Sequence, residues 1–188
     1  MDIANFNNGL LQVIPGFQNA PENFSGCWIY LGNETERYVL GEVGKTNMLI
    51  FGINPSSATP DNPDNTIRKV RSILAKNYYD GWIMMNLHPQ RTADPKALTN
   101  NEQLLRNNSA VLNFVLDNLP ISDVWYAWGD AIDELSAVRR SLQNSLAEIK
   151  VVLSERNLKR YHYGELTKKG NPRHPLYMST NENFYLYE

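Results

Sequence analysis

The sequence has one cysteine, Cys27, in 188 residues, so it forms no intramolecular disulfide and cannot be a disulfide-stapled scaffold. Histidine is equally scarce. His88, His162 and His174 stand far apart and far from Cys27, which leaves no zinc-binding spacing and no metal assignment. No apolar run approaches the roughly 18 residues that a membrane span needs. The opening twenty residues, MDIANFNNGLLQVIPGFQNA, lack the basic start and long apolar stretch of a secretory signal, so the expected compartment is the cytoplasm and no membrane partner is expected. The chain has no GxxxxGK[ST] loop, no GxSxG elbow, no GxGxxG turn and no HExxH helix. P-loop, serine-hydrolase, dinucleotide and zincin chemistry are excluded with them, and no cofactor is expected. A charge excess is missing too. Eighteen Lys and Arg against 20 Asp and Glu leave −2, so any attraction to nucleic acid must be local.

What remains is an ordinary folded composition, 42% hydrophobic and 20% charged, with length for one domain over 1–188. Residues 1–46 read as an irregular, β-rich N-terminal lead. Within it, CWIYL at 27–31 and RYVLGEV at 37–43 are joined by Gly32-Asn33-Glu34 as a hairpin, after an irregular 1–26. From residue 47 to about 180, short apolar runs alternate with helical periodicity, the pattern of βαβ units and a parallel sheet. The runs are NMLIFGI at 47–53, GWIMMNL at 81–87, DVWYAWG at 123–129 and KRYHYG at 159–164. Between them lie three helical faces. The first is Ile67, Val70, Ile73 and Leu74, with Asp64 or Asn65 as cap; the second is Leu104, Leu105, Val111, Leu112, Val115 and Leu116; the third runs from Leu135 through Val138, Leu142 and Leu146 to Ile149. The expected class is α/β with a four-stranded parallel sheet.

In open parallel sheets, ligands bind beyond the carboxyl ends of the strands. The exits here are Gly52 to Ser57, Asn86 to Pro89, Trp128-Gly129-Asp130 and, after a short loop, Arg173 to Tyr177, and each holds polar groups beside Pro or Gly. Asn54 and Asn86 carry the amide donors and acceptor that read an amide-like edge such as a nucleobase, or else they close Asx turns. His174 serves as a neutral donor or an acid, or satisfies its loop. Asp64 and Thr66 begin a helix, where an acid caps the amides or joins Asp61 and Asp94 around magnesium. Arg91 forks onto a phosphate or pairs with Asp94. Arg156 to Arg173 carries six basic residues and one acid. It is a candidate contact surface for a phosphate backbone, or a solvated face. Trp125, Trp128, Tyr161, Tyr163 and Tyr177 form either a stacking surface or core.

The ordered segments GINPSS at 52–57, WIMMNL at 82–87, VWYAWGDA at 124–131 and HPLYMS at 174–179 resemble the motifs of the uracil-DNA glycosylase superfamily. A closer resemblance is to an uncharacterised bacterial and phage family known only as a domain of unknown function. It rests on Gly52 to Ser56, Asp64 to Ile67, Asn86 to Pro95, Trp128-Gly129 and Gly170 to Tyr177. The glycosylase resemblance implies a three-layer α/β/α sandwich and activity on a nucleobase, nucleoside or nucleotide, including hydrolysis of an N-glycosidic bond. It implies that Asn54 positions water or the reacting centre, that Asn86 reads the base edge and that His174 stabilises charge on the departing base. Outside the glycosylase pattern, Arg91 would hold a phosphate, and Asp64, Thr66 and Asp94 would join Ser56, Trp128, Gly129, Arg173 and Tyr177 in completing the substrate site. The expected partner is a nucleobase-containing small molecule or single-stranded nucleic acid. Two alternatives are a magnesium-dependent nucleotide phosphohydrolase or transferase using Asp61, Asp64 and Asp94, and a non-catalytic nucleotide-binding or nucleic-acid-binding module. The terminal HPLY departs from the glycosylase HPS-P-L-S and has no wedge after it to fill a vacated duplex stack, so duplex repair is not implied.

Overall fold

The computed structural model describes residues 2–20 and 26–187. Among these residues seven strands form one sheet: β1 (Trp28–Gly32), β2 (Arg37–Glu42), β3 (Asn47–Gly52), β4 (Gly81–Asn86), β5 (Ile121–Tyr126), β6 (Lys159–Tyr163) and β7 (Phe184–Leu186). Their order across the sheet is β1-β2-β4-β3-β5-β6-β7. The four middle strands pair in parallel. The β1–β2 hairpin joins them antiparallel through β4, and β7 joins antiparallel through β6. The sheet is therefore mixed and seven-stranded, in place of the expected four-stranded parallel sheet with a small N-terminal β entry. Edge strand β7 escapes sequence reading because it has three residues and no buried one. Such short runs show no alternation.

β3 and β4 are buried along their whole length, as befits parallel strands covered on both faces. Alternate side chains feed two cores. Leu49, Phe51, Ile83, Met85, Val124 and Tyr126 pack toward three helices, α1 (Ile3–Leu10), α3 (Glu102–Asn118) and α5 (Arg139–Glu155). Met48, Ile50, Trp82, Met84 and Trp125 pack toward α2 (Asn65–Lys76). The buried face of α2 is Ile67, Val70, Ile73 and Leu74, at the expected spacing, and the Ile67 N–H donates to the Asp64 cap at 2.9 Å.

Two expectations about helices are corrected. The lead 1–26, read as irregular, contains α1, whose Phe6 and Leu10 are buried while Asn5, Asn7 and Asn8 take three of its other positions. The apolar face is short, and Asn and Gly are weak helix formers, so propensity conceals it. The rest of that lead includes residues 21–25, outside the described residues. The long helix expected from Leu135 begins only at Arg139, as α5; Leu135 and Val138 are buried in the turn that joins it to a preceding short helix, α4 (Ala131–Glu134). Burial in a turn mimics helical spacing. No helix among the described residues is long and apolar enough to cross a membrane.

The parallel strands all exit at one edge of the sheet. Because β2 runs antiparallel to β4, with Leu40 opposite Met84 and Glu42 opposite Trp82, it starts at that same edge. The Arg37 N–H donates to the Pro89 carbonyl at 2.9 Å, which fastens the start of β2 to the loop leaving β4.

Candidate binding cleft at the strand exits

A cleft of about 750 Å³ opens beyond the carboxyl ends of β3, β4 and β5, on the α2 side of the sheet. That size is within the ordinary range for small-molecule sites. Asn54, Ser56, Asp64, Thr66 and Asn86 line it from the first two exits and the start of α2. Trp128, Gly129, Arg173, His174 and Tyr177 line it from the last two. Ten residues singled out in sequence, spread over 124 positions from Asn54 to Tyr177, thus face one cavity.

Asn86 ends β4 on the floor of this cleft and is 1% exposed. Neither its Nδ2 nor its Oδ1 has a hydrogen-bond partner among the described residues. An Asx turn is therefore not its role. Its backbone is held firmly: Asn108 Nδ2 on α3 donates to the Asn86 carbonyl and Ser145 Oγ on α5 donates to the Leu87 carbonyl, both at 2.8 Å. Helices on the far face of the sheet thus fix the strand exit from behind and leave the carboxamide itself unspent. Asn108 and Ser145 lie mid-helix among other polar residues, and no pattern in the sequence marks them.

His174 caps the short 3-10 turn Pro175–Tyr177, with its Nδ1 accepting from the Leu176 N–H at 3.3 Å. In the neutral ring this places the proton on Nε2, which becomes a donor. Burial lowers the His174 pKa, partly opposed by the negative charge of Asp64, and so favours that neutral form. Tyr177, 81% exposed, stands with its ring 5.8 Å from the imidazole. Asn54 donates through Nδ2 to the carbonyls of Pro55 (3.0 Å) and Thr92 (2.9 Å). Those two bonds fix the amide so that Oδ1, which has no partner among the described residues, is the end left to accept.

Two expected site residues lie elsewhere. Arg91 does not present its fork to the cleft. Its Nε donates to the Ser56 carbonyl (2.9 Å), Nη1 to Tyr30 Oη and the Asn33 carbonyl (3.0 and 3.1 Å), and Nη2 to the Ala58 carbonyl (3.4 Å). It staples the loop after β3 to the β1–β2 hairpin, and it forms no ion pair with Asp94. Asp94 caps the 3-10 turn Pro95–Ala97 through the Lys96 N–H, and neither it nor Asp61 lines the cleft. Of the three acids in the magnesium alternative, only Asp64 is at the site. The basic stretch is also partly spent: Arg156 pairs with Asp117 (2.6 Å), Lys169 pairs with Glu134 (2.7 Å), and Arg173 Nε donates to the Glu165 carbonyl (2.8 Å). Trp125 and Tyr163 are core and Tyr161, on β6, does not line the cleft, leaving Trp128 and Tyr177 as the expected aromatics there.

Arg37 is the largest omission from the sequence reading. It lines the cleft yet is 3% exposed, and no carboxylate lies within ion-pair distance among the described residues. Nη1 donates to the Ala58 carbonyl at 3.1 Å, while Nε has no partner among the described residues. Burial, and then the neighbouring Arg91, push its pKa down to about 10, against the pull of Asp64. It remains charged at neutral pH. Asp130, at the third exit, accepts from Thr167 Oγ1 and from Asn171 Nδ2, and these bonds hold its carboxyl below the ordinary range.

No curated protein and no solved structure matches the chain. The sequence model described as "Protein of unknown function (DUF1643)" matches residues 37–176, a span that opens on Arg37 and takes in every cleft residue named above except Tyr177. The chain belongs to this family of proteins of unknown function.

Proposed function

We propose that the protein recognises the base of a nucleotide or nucleoside in this cleft and hydrolyses its N-glycosidic bond. The observation that carries the reading is the Asn86 carboxamide, buried on the floor with both ends unpartnered. An unmet buried polar group costs about 1–3 kcal/mol, so a ligand presenting one donor and one acceptor side by side recovers that cost. The edge of a nucleobase has this form. A site built on such a pair also rejects ligands lacking the match, because they leave the amide unpaired.

The other groups fit the same chemistry. A water on Asn54 Oδ1 supplies the oxygen that bonds to the anomeric carbon as the C–N bond breaks. The bonding pair leaves with the base, and the Nε2–H of neutral His174 donates to the charge developing there. Asn54 cannot take a proton, so it positions the water, whose proton ends on the released base. The order of the four glycosylase-like segments along β3, β4, β5 and the loop after β6 supports placing the fold with the uracil-DNA glycosylases.

Thermal unfolding of wild type and Asn86→Leu against nucleobases, nucleosides and nucleotides tests the reading, with chromatography for released base. A ligand at 100 times its dissociation constant adds about 2.7 kcal/mol. We expect a base-selective shift and base release in wild type and neither in the variant. Equal shifts in both proteins reject the role of Asn86.

A further inference from the structure

We propose that the Arg37 end of the cleft is an oxyanion subsite that takes the phosphate of a nucleoside monophosphate. The identity of the whole ligand rests on the base-reading role of Asn86, whereas the anion subsite stands on separate observations.

The first is the charge at Arg37. A guanidinium removed from water needs compensation, and buried ones are normally paired. Here the nearby charges are Arg91, of the same sign, and Asp64. Two cations against one anion leave an excess of one positive charge behind the cleft wall. Arg91 contributes mainly charge, since four of its five N–H donors are spent on carbonyls and a tyrosine hydroxyl. Arg37 has its Nε unused.

The second is the start of α2, a twelve-residue helix beginning at the cleft. Asp64 caps the Ile67 N–H and leaves the N–H groups of Asn65 and Thr66, and the Thr66 hydroxyl, without partners among the described residues. Both residues line the cleft. Free amides at a helix start favour an anion, and a guanidinium favours the planar, multidentate contact of a phosphate. Asp64 opposes a bound anion by its charge, but its cap geometry turns one oxygen back onto its own helix.

The single excess charge at this end of the cleft fits one phosphate. An extended strand needs a track of free cations, and several in the basic stretch are already paired with Asp117, Glu134 and the Glu165 carbonyl. The partner is thus a mononucleotide.

The test is calorimetric titration of inorganic phosphate, of nucleoside monophosphates, of the matching nucleosides and of a short single-stranded oligonucleotide. The proteins are wild type, Arg37→Met, Arg37→Gln and Asn86→Leu. We expect wild type to bind phosphate, more weakly as salt rises, and to prefer each monophosphate over its nucleoside by at least about tenfold. Both Arg37 variants should lose phosphate binding and that preference, while Asn86→Leu keeps phosphate binding and loses discrimination among bases. No phosphate binding by wild type, or unchanged binding by a folded Arg37 variant, overturns the subsite. Tighter binding of the oligonucleotide than of any monophosphate overturns the mononucleotide. If neither Arg37 variant folds, the wild-type comparison of monophosphate with nucleoside decides. Should Asn86→Leu behave as wild type while the Arg37 variants lose phosphate, the base-reading role alone fails.

Discussion

Gly52 and Asn86 are register partners on adjacent parallel strands, and the space above Gly52 is filled by the Asn86 carboxamide. A Cβ built at position 52 would stand 2.8 Å from Asn86 Oδ1 and 2.9 Å from Met84 Cε. The missing side chain is what lets the amide lie across the strand end into the cleft. Glycine is required here for close approach, not for its backbone freedom.

Gly52→Ala should therefore act on function through Asn86. The methyl forces the carboxamide or the Met84 thioether aside, and overpacking of this kind costs about 1–3 kcal/mol. We expect a folded protein with a lower denaturation midpoint and a greater loss of ligand binding than of stability. Urea denaturation and ligand titration on one preparation measure both. Undiminished binding would show that the amide position is not set by Gly52.

Asn86→Leu should move stability the other way. The two side chains are close in size, and the leucine replaces a buried amide whose donor and acceptor are unmet. Removing such a group while keeping its shape gains up to about 1–3 kcal/mol in the ligand-free protein. A rise in the unfolding midpoint, together with loss of binding, marks a residue kept for its ligand. A fall would show that ordered water satisfies the amide in solution.

Arg91 carries structural consequences in place of the phosphate role read from sequence. Its donors join the loop after β3 to the hairpin and shape the wall where Ser56 stands. Arg91→Ala should cost about 2–4 kcal/mol by leaving several carbonyls unpaired. Arg91→Lys should recover little, because one ammonium cannot reproduce a planar fork spread over four acceptors. Denaturation curves of the two variants check this, and near-complete rescue by lysine would reduce the role to charge.

The strands and the cleft were legible for the same reason. β3 and β4 are apolar throughout because both faces are covered, and the Pro- and Gly-bounded polar residues after them are those a parallel sheet gathers at its carboxyl edge. Arg37 was not legible. It begins a strand, and only the antiparallel pairing of β2 with β4 turns that beginning into a part of the cleft. Arg91 misled because sequence shows a guanidinium but not the carbonyls around it. Asn86 was named as a candidate from its place at a strand end, yet its lack of partners depends on Asn108 and Ser145 holding the backbone from helices that follow it in the chain.

Two of the three imidazoles, His88 and His174, give the protein a defined acid sensitivity. Burial lowers the pKa of His88, opposed by the bond from its Nε2 to the Thr99 carbonyl, and burial lowers that of His174, opposed by Asp64. Both are therefore neutral in the fold at pH values where the unfolded chain, titrating near the ordinary 6.5, already takes up protons. With more protons bound to the unfolded state, stability falls as pH falls. Their contribution is full above 6.5 and is lost from there down through the lowered folded values, by at most about 1.4 kcal/mol per pH unit for each imidazole. Urea denaturation of wild type, His88→Gln and His174→Gln across this range separates the two from the carboxylates, which titrate lower. Each variant should show a shallower decline than wild type between pH 6.5 and the onset of carboxylate protonation. If His174→Gln declines as steeply as wild type, the surroundings of His174 do not favour its neutral form beyond what a free imidazole shows.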